Sequence, residues 1–133
     1  MSGMERVRYE RMGGVALLQF DDGKVNTFHG ESIAELDRAL DRAESDAEAG
    51  AVVLAGRPGY FSAGLDLKRL PGLAADELRA VIAAYGRLML RIFAFPKPTV
   101  AVVTGHALAG GCVMLCTCDK RVAADGPWKI GLN

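Results

Sequence analysis

The chain has 133 residues, 50% of them hydrophobic, one domain's worth of sequence with enough apolar mass for a real core. Its 16 basic and 16 acidic side chains leave no net charge, so nothing recommends nucleic acid or an anionic membrane as a partner. No apolar run is long enough to span a membrane, and the polar start Met1-Ser2-Gly3-Met4-Glu5-Arg6 is unlike a secretory signal, which makes a reducing cytoplasm the expected compartment.

In chain order, residues 7–12 and 15–21 predict two β segments around the turn Gly13-Gly14, an opening hairpin. Residues 24–28 predict a loop. Ser32 is the expected N-cap of a helix on which Ile33, Leu36, Ala39, Leu40 and Ala43 recur at helical spacing. Residues 51–55 are continuously apolar, which predicts a strand covered on both faces, ended by Gly56-Arg57-Pro58-Gly59. A second helix is expected over 75–93, with Leu78, Val81, Ile82, Tyr85, Leu88, Met89 and Ile92 on its inner stripe, stopped by Pro96 and Pro98. Residues 99–103 predict a buried strand, 110–118 a short apolar helix and 120–124 another strand. Strand–helix alternation makes the fold class α/β, and the sequence shows no internal repeat and no linker. Trp128-Lys129-Ile130-Gly131-Leu132-Asn133 reads as a strand entering a loop, so the chain is expected to stop inside a larger domain.

Two small-residue corners dominate the sequence: Phe61-Ser62-Ala63-Gly64-Leu65-Asp66 and Gly105-His106-Ala107-Leu108-Ala109-Gly110-Gly111-Cys112. Each follows a short apolar run and is expected to open onto a helix. Small residues let a ligand approach the backbone, and a helix N-terminus leaves its first N–H groups without intrahelical partners. Side by side, two such corners could aim two N–H donors at one developing oxyanion, which points to carbonyl chemistry. The alternative for Gly110-Gly111 is a tight strand-to-helix turn with no ligand. Cys112, Cys116 and Cys118 could form a metal or redox cluster, but no histidine stands at ligand spacing, and three small apolar residues on a buried helix is the preferred account.

The corners, their order and their separation of 46 residues (Gly64 to Gly110) resemble the crotonase, or enoyl-CoA hydratase/isomerase, superfamily. Val25-Asn26-Thr27-Phe28 is similar to that family's N-A-L-type loop. Phe61-Ser62-Ala63-Gly64-Leu65-Asp66-Leu67-Lys68 is similar to its F-x-A-G-x-D turn. Pro96-Lys97-Pro98-Thr99-Val100-Ala101 with Gly105 to Cys112 is similar to its K-P-x-I-A-x-V-x-G-x-A-x-G-G-G stretch. Cys118-Asp119-Lys120-Arg121-Val122-Ala123 is similar to its C-D-x-R-x-A segment. Four matches in register, over essentially the whole chain, imply that residues 1–133 are one domain, the N-terminal part of a crotonase-like (ClpP/crotonase) spiral of ββα units, expected to be truncated before the C-terminal helical region.

The resemblance implies an acyl-CoA thioester substrate, with coenzyme A brought by the substrate and no other cofactor or metal. Its carbonyl oxygen would lie between the backbone amides of Leu65 and Gly110. Lys24, Val25, Asn26, Ser62, Ala63, Gly64, Asp66, Lys68, Ala109 and Val113 would line the substrate site, with Lys24, Lys68 or Arg69 pairing phosphates unless they are solvated surface charges. The family's trimers, or dimers of trimers, would be built largely with C-terminal helices.

One departure narrows the chemistry. Hydratases of this family resemble one another in two glutamates, and the first would fall at Val113, which cannot exchange a proton. Moving a double bond needs only one carboxylate, and the chain resembles the mitochondrial-type Δ3,Δ2-enoyl-CoA isomerases, whose glutamate directly follows an I-G-L-N segment. Here that base is expected one residue beyond Asn133. Asp66 is expected to support its loop rather than catalyse, and His29, His106 and Asp119 to be structural, Asp119 by capping or by pairing with Arg121. Rival accounts are a hydratase or other thioester enzyme, a non-catalytic acyl-CoA-binding relic, and a short product that pairs with a second chain.

Overall fold

The computed structural model describes residues 5–132; residues 1–4 and Asn133, on which the reading of the polar start and of the chain's last residue fell, lie outside them. Strands β1 (Val7–Met12) and β2 (Val15–Phe20) form the expected antiparallel hairpin, with Met12 opposite Val15 and Gly13 at φ 60° making the two-residue turn. Strands β4 (Ala51–Ala55), β7 (Thr99–Val103) and β9 (Lys120–Ala123) then add in parallel to give the sheet order β1-β2-β4-β7-β9.

A second, parallel sheet has the order β10-β8-β5, from β5 (Gly59–Ser62), β8 (Gly105–Leu108) and β10 (Ile130–Gly131). A third layer pairs β3 (Thr27–Phe28) with β6 (Gly64–Leu65), also in parallel. Helices α1 (Gly30–Ser45), α2 (Ala75–Phe93) and α3 (Gly110–Thr117) complete the chain. Read along the sequence from β2, each strand of the large sheet is followed by one or two in the smaller sheets and then, three times, by a helix. That is a spiral of ββα units, repeated in space although the sequence shows no repeat.

The core follows from alternation. Ala16, Leu18 and Phe20 on β2, Val52 and Leu54 on β4, and Ala101 and Val103 on β7 are buried with Ile33, Leu36, Leu40 and Ala43 of α1. The strand at 51–55, expected to be covered on both faces, has no exposed residue, and its burial alternates, with Ala51, Val53 and Ala55 half-covered.

Several local expectations need correction. The loop at 24–28 contains strand β3, too short for any periodicity to reveal. Helix α1 starts at Gly30 with His29 as its cap residue, and Ser32 acts from inside the first turn by accepting the His29 backbone N–H at 3.0 Å. Ile82 of α2 is exposed rather than on the inner stripe. Cys112 and Cys118 are buried, but Cys116 is exposed, and all three thiols are free. Asp119 does not pair with Arg121: it accepts the Thr99 N–H at 2.8 Å, while the Arg121 guanidinium caps α3 on Cys118 O at 2.8 Å. Among the described residues no helix is long and apolar enough to cross a membrane.

Candidate active site

Both corners stand at the C-terminal ends of adjacent parallel strands. Gly59 and Gly105 open β5 and β8 in register, and a shift between Tyr60 and Ser62 moves Ser62 opposite Ala107. A Cβ on Gly105 would lie 2.1 Å from the Gly59 carbonyl carbon, so the two strands touch at backbone distance.

The first corner is zipped to the 24–28 segment. Ala63 N–H donates to Val25 O (2.9 Å) and Asp66 N–H to Phe28 O (2.9 Å). The fully buried Ser62 hydroxyl donates to Asn26 O (2.7 Å) and accepts the Gly64 N–H (3.0 Å). Asn26, at φ 56° and fully buried, accepts the Asp22 N–H and donates to Phe20 O (2.7 Å) and Phe61 O (3.1 Å). Asn26 and the backbone around Ser62 are expected to line the substrate channel; both side chains are fully buried and hydrogen-bonded to neighbouring main chain. The corner was also expected to open onto a helix. It runs instead through β6 into a turn held by Asp66, then a 3-10 turn at Leu70–Gly72, with α2 starting only at Ala75.

Asp66 supports that turn as anticipated, accepting the Lys68 and Arg69 N–H groups at 3.1 Å each and the Thr27 hydroxyl at 3.2 Å. Burial pushes its carboxyl up, but these donors outweigh burial and hold it below the ordinary carboxylate value.

The second corner turns on Ala109, a non-glycine residue at φ 49°, ψ −117°. Gly110 follows as the first residue of α3. Val113 N–H is the first to close a helical bond, on Ala109 O at 3.1 Å, which leaves the Gly110 N–H at the positive end of the helix with no acceptor among the described residues. The two corners press together here. A Cβ on Gly64 would sit 2.9 Å from Gly110 N and 3.0 Å from Leu108 O, and one on Gly111 would sit 2.1 Å from Ser62 O. Only glycine allows this approach, and at Gly64 the φ of +91° demands it too. Leu65 is next in the chain, on β6, which packs against α3. Tyr85 of α2 donates its hydroxyl to Gly110 O at 2.8 Å.

Beside the first corner is a groove of about 360 Å³ lined by Asp22, Lys24, Val25, Thr27, Ala63 and Leu65 and by residues 66–69. It gathers seven of the anticipated residues: Lys24, Val25, Ala63, Leu65, Asp66, Lys68 and Arg69. Gly64 is buried with the Gly110 nitrogen close to it, Val113 packs against the core, and none of Ala109, Gly110 and Val113 lines the groove. The groove's two carboxylates are occupied by backbone N–H groups, Asp22 with those of Lys24 (2.8 Å) and Asn26 (3.0 Å). Lys24 and Lys68 have no ion-pair partner among the described residues, so the groove presents cationic side chains over an apolar floor.

Sequence reading placed Tyr85 in the core and gave it no part in the site; only its spacing on α2 was legible. His29 was expected to be structural, and it is: it is buried, and Arg69 contacts its Nδ1 at 3.2 Å. His106 accepts the Lys129 N–H at 2.9 Å between the rings of Tyr60 and Trp128, likewise a structural role.

Comparison with known proteins agrees with this geometry. The family model described as enoyl-CoA hydratase/isomerase matches residues 10–133. A human protein named enoyl-CoA delta isomerase 1, mitochondrial, is 36% identical over 98% of this chain and 45% of its own length. A probable enoyl-CoA hydratase of Bacillus subtilis is 36% identical over 89% of this chain and 46% of its own. Among solved structures, an enoyl-CoA hydratase/isomerase family protein from Pseudomonas syringae superposes with TM-score 0.88 at 36% identity, covering 95% of this chain and 54% of that one. The chain thus spans about half the length of the relatives it matches. Its sequence, its spiral and its paired glycine corners place the chain in the enoyl-CoA hydratase/isomerase, or crotonase, family.

Proposed function

We propose that the chain is the oxyanion-holding half of an acyl-CoA enzyme that converts a 3-enoyl-CoA to the conjugated 2-enoyl-CoA. The observation that carries this reading is the contact of Gly64 with the Gly110 amide beside a cationic groove, with valine at position 113. The thioester carbonyl oxygen lies between the N–H groups of Leu65 and Gly110, and the phosphates of coenzyme A lie toward Lys24, Lys68 and Arg69. A base removes a proton from C2; the electron pair moves onto the thioester oxygen as an enolate; the double bond shifts from C3–C4 to C2–C3 as C4 takes a proton. Fixed amide dipoles hold the enolate without reorganising, and one such donor is worth roughly 2.7–4 kcal/mol of barrier.

Val113 cannot supply the second acid that addition of water calls for, and it packs half-buried against the core. The carboxylates on the groove, Asp22 and Asp66, are engaged by the backbone. The base is therefore a carboxylate from outside these residues, and the chain alone is slower than the complete enzyme by roughly 10²–10⁴. The complete protein acts in the cytoplasm, in fatty-acid oxidation, as a trimer or a dimer of trimers.

The test has two parts. Calorimetric titration of the chain with butyryl-CoA is expected to show binding, and a protein extending beyond Asn133 is expected to turn over a 3-enoyl-CoA faster than it hydrates a 2-enoyl-CoA. Faster hydration would favour the hydratase account. Binding without either turnover would favour a non-catalytic relic, and no binding at all would overturn the proposal.

A further inference from the structure

Strand β1 ends the five-stranded sheet: it pairs with β2 on one side and with no strand among the described residues on the other. Its register with β2 runs from Val7 to Met12 without a bulge, so the free edge is regular along the whole strand. In an antiparallel pair, alternate residues spend both main-chain groups on the partner strand. Asp21 N–H donates to Arg6 O at 2.7 Å, and Met12 stands opposite Val15 across the two-residue turn. The main chain of Arg6, Arg8, Glu10 and Met12 therefore bonds β2, and Val7, Tyr9 and Arg11 turn their N–H and C=O groups outward. Beside this edge runs an open groove of about 210 Å³, between Val7 and Tyr9 of the strand and Glu35, Arg38, Ala39 and Arg42 of α1. It leaves room on the α1 face for the side chains of an added strand.

The charges on β1 select that strand. Tyr9 lies toward α1, with the Arg42 guanidinium 4.1 Å from its ring centre, and Arg11 on the same face is held by Asp46 at 3.6 Å and Glu48 at 2.6 Å. Arg8 and Glu10 stand exposed on the opposite face, with no ion-pair partner among the described residues. A second β1 laid antiparallel along the first can bond only where outward-turned residues face each other. Centred on Tyr9, the register sets Tyr9 opposite Tyr9 and Val7 opposite Arg11 at both ends, and each of these pairs exchanges two hydrogen bonds. Between them Arg8 falls opposite Glu10 of the second copy, and Glu10 opposite Arg8, at the positions where cross-strand side chains stand closest. Centring the pair on Arg8 or on Glu10 instead sets like charge against like charge.

We propose that β1 is the docking strand for a second copy of this chain, paired antiparallel about a two-fold axis at Tyr9, with Arg8 and Glu10 matched across it. The contact is self-complementary and closes on itself, joining two five-stranded sheets into one. It uses no group of the paired corners, so it stands or falls apart from the thioester reading. One strand pair is a small interface, and the dimer is accordingly weak and concentration-dependent.

Sedimentation equilibrium of the chain over a wide concentration range is expected to show a reversible monomer–dimer equilibrium. Arg8→Glu leaves both cross-strand positions acidic and Glu10→Arg leaves both basic, so each variant alone should dimerise at least tenfold more weakly. Mixed together, the two variants should associate within about threefold of the parent's affinity for itself, because every contact between positions 8 and 10 is again of opposite sign. The doubly exchanged Arg8→Glu/Glu10→Arg variant should dimerise equally well. Both positions are exposed, and an unchanged urea midpoint checks that each variant is folded. Hydrogen exchange locates the contact: higher concentration should protect the amides of Val7, Tyr9 and Arg11 and leave those of 120–123, on the sheet's other edge, unchanged. A chain that stays monomeric overturns the proposal. So does a dimer indifferent to the single exchanges, a pair of single variants that fails to associate on mixing, or protection on β9 in place of β1.

Discussion

Ala109→Gly should stabilise this protein, an unusual result for a substitution that removes a side chain. At φ 49°, ψ −117°, Ala109 lies outside the wells open to L-residues, and holding a residue there costs about 1–3 kcal/mol. Glycine reaches the same angles without that penalty. Against the gain stand about 0.4–1 kcal/mol for the greater freedom of glycine in the unfolded chain and about half of 0.8 kcal/mol for a half-buried methyl. The balance is about 1 kcal/mol in favour of glycine, or about 3–5 °C in midpoint for a domain of this size. Urea unfolding should show a raised midpoint with an unchanged slope, since no burial changes beyond the methyl. The same relief should loosen the aim of the Gly110 amide, so the bound thioester carbonyl should be less polarised even as stability rises. A variant less stable than the parent would refute the reasoning, because it would mean that the turn stores no strain.

Gly64→Ala meets the opposite fate: its Cβ would sit 2.9 Å from Gly110 N at φ +91°, so about 3 kcal/mol of strain and overpacking should appear as a lowered urea midpoint, with thioester binding lost. Asn26→Ala removes the donor to Phe20 O and Phe61 O and places alanine at φ 56°; a loss of about 2–4 kcal/mol should show in the same assay. Burial, with the charges of Arg69 and Arg6, holds the His29 imidazole below its ordinary 6.5. The unfolded chain therefore takes up that proton first, stability should fall as the pH drops below about 6.5, and His29→Gln should flatten that slope in unfolding experiments run across pH. Burial pushes the Tyr85 phenol up to about 12 from 10.0, so the unfolded chain loses that proton first and stability should fall as pH rises through that interval. Ultraviolet titration of tyrosinate should show the last ionisation missing in Tyr85→Phe.

What the sequence could tell divides by the range of the forces involved. Helix α2 was legible to the residue, because a long amphipathic pattern and two prolines mark its bounds. The corners were legible because close backbone approach demands glycine, and Gly64, Gly110 and Gly111 each meet neighbouring atoms at distances that would crowd a Cβ. Strand β3 was not, since two residues have no period and pair only because residues 64–65 arrive from far along the chain. Asn26 and Ser62 were named as site residues from their place in a motif. Their side chains are buried and hydrogen-bonded to neighbouring main chain, which motif spacing alone cannot distinguish from contact with a ligand. Tyr85 and Ala109 show the remaining limit. A tyrosine at core spacing says nothing about where its hydroxyl lands, and an alanine gives no sign that its φ is positive.

In the proposed reading, the spiral is what brings together two donors, the amides of Leu65 and Gly110, that stand 45 residues apart in sequence (110 − 65). One turn of it returns the chain to the neighbouring position in the small sheet, where parallel β5 and β8 end side by side. Whatever follows each strand is therefore delivered to the same edge, and in α/β folds that edge is where ligands are held. Both donors in that reading are main-chain amides, so holding the oxyanion would depend on glycine-permitted geometry rather than on particular side chains. The reaction, by contrast, depends on which nearby side chain exchanges protons. Position 113 opens the first full turn of α3 beside the Gly110 amide, and here it is occupied by valine. In the proposed reading that separation would let one scaffold keep its oxyanion corner while the chemistry changes, with the choice of reaction falling to groups other than residue 113.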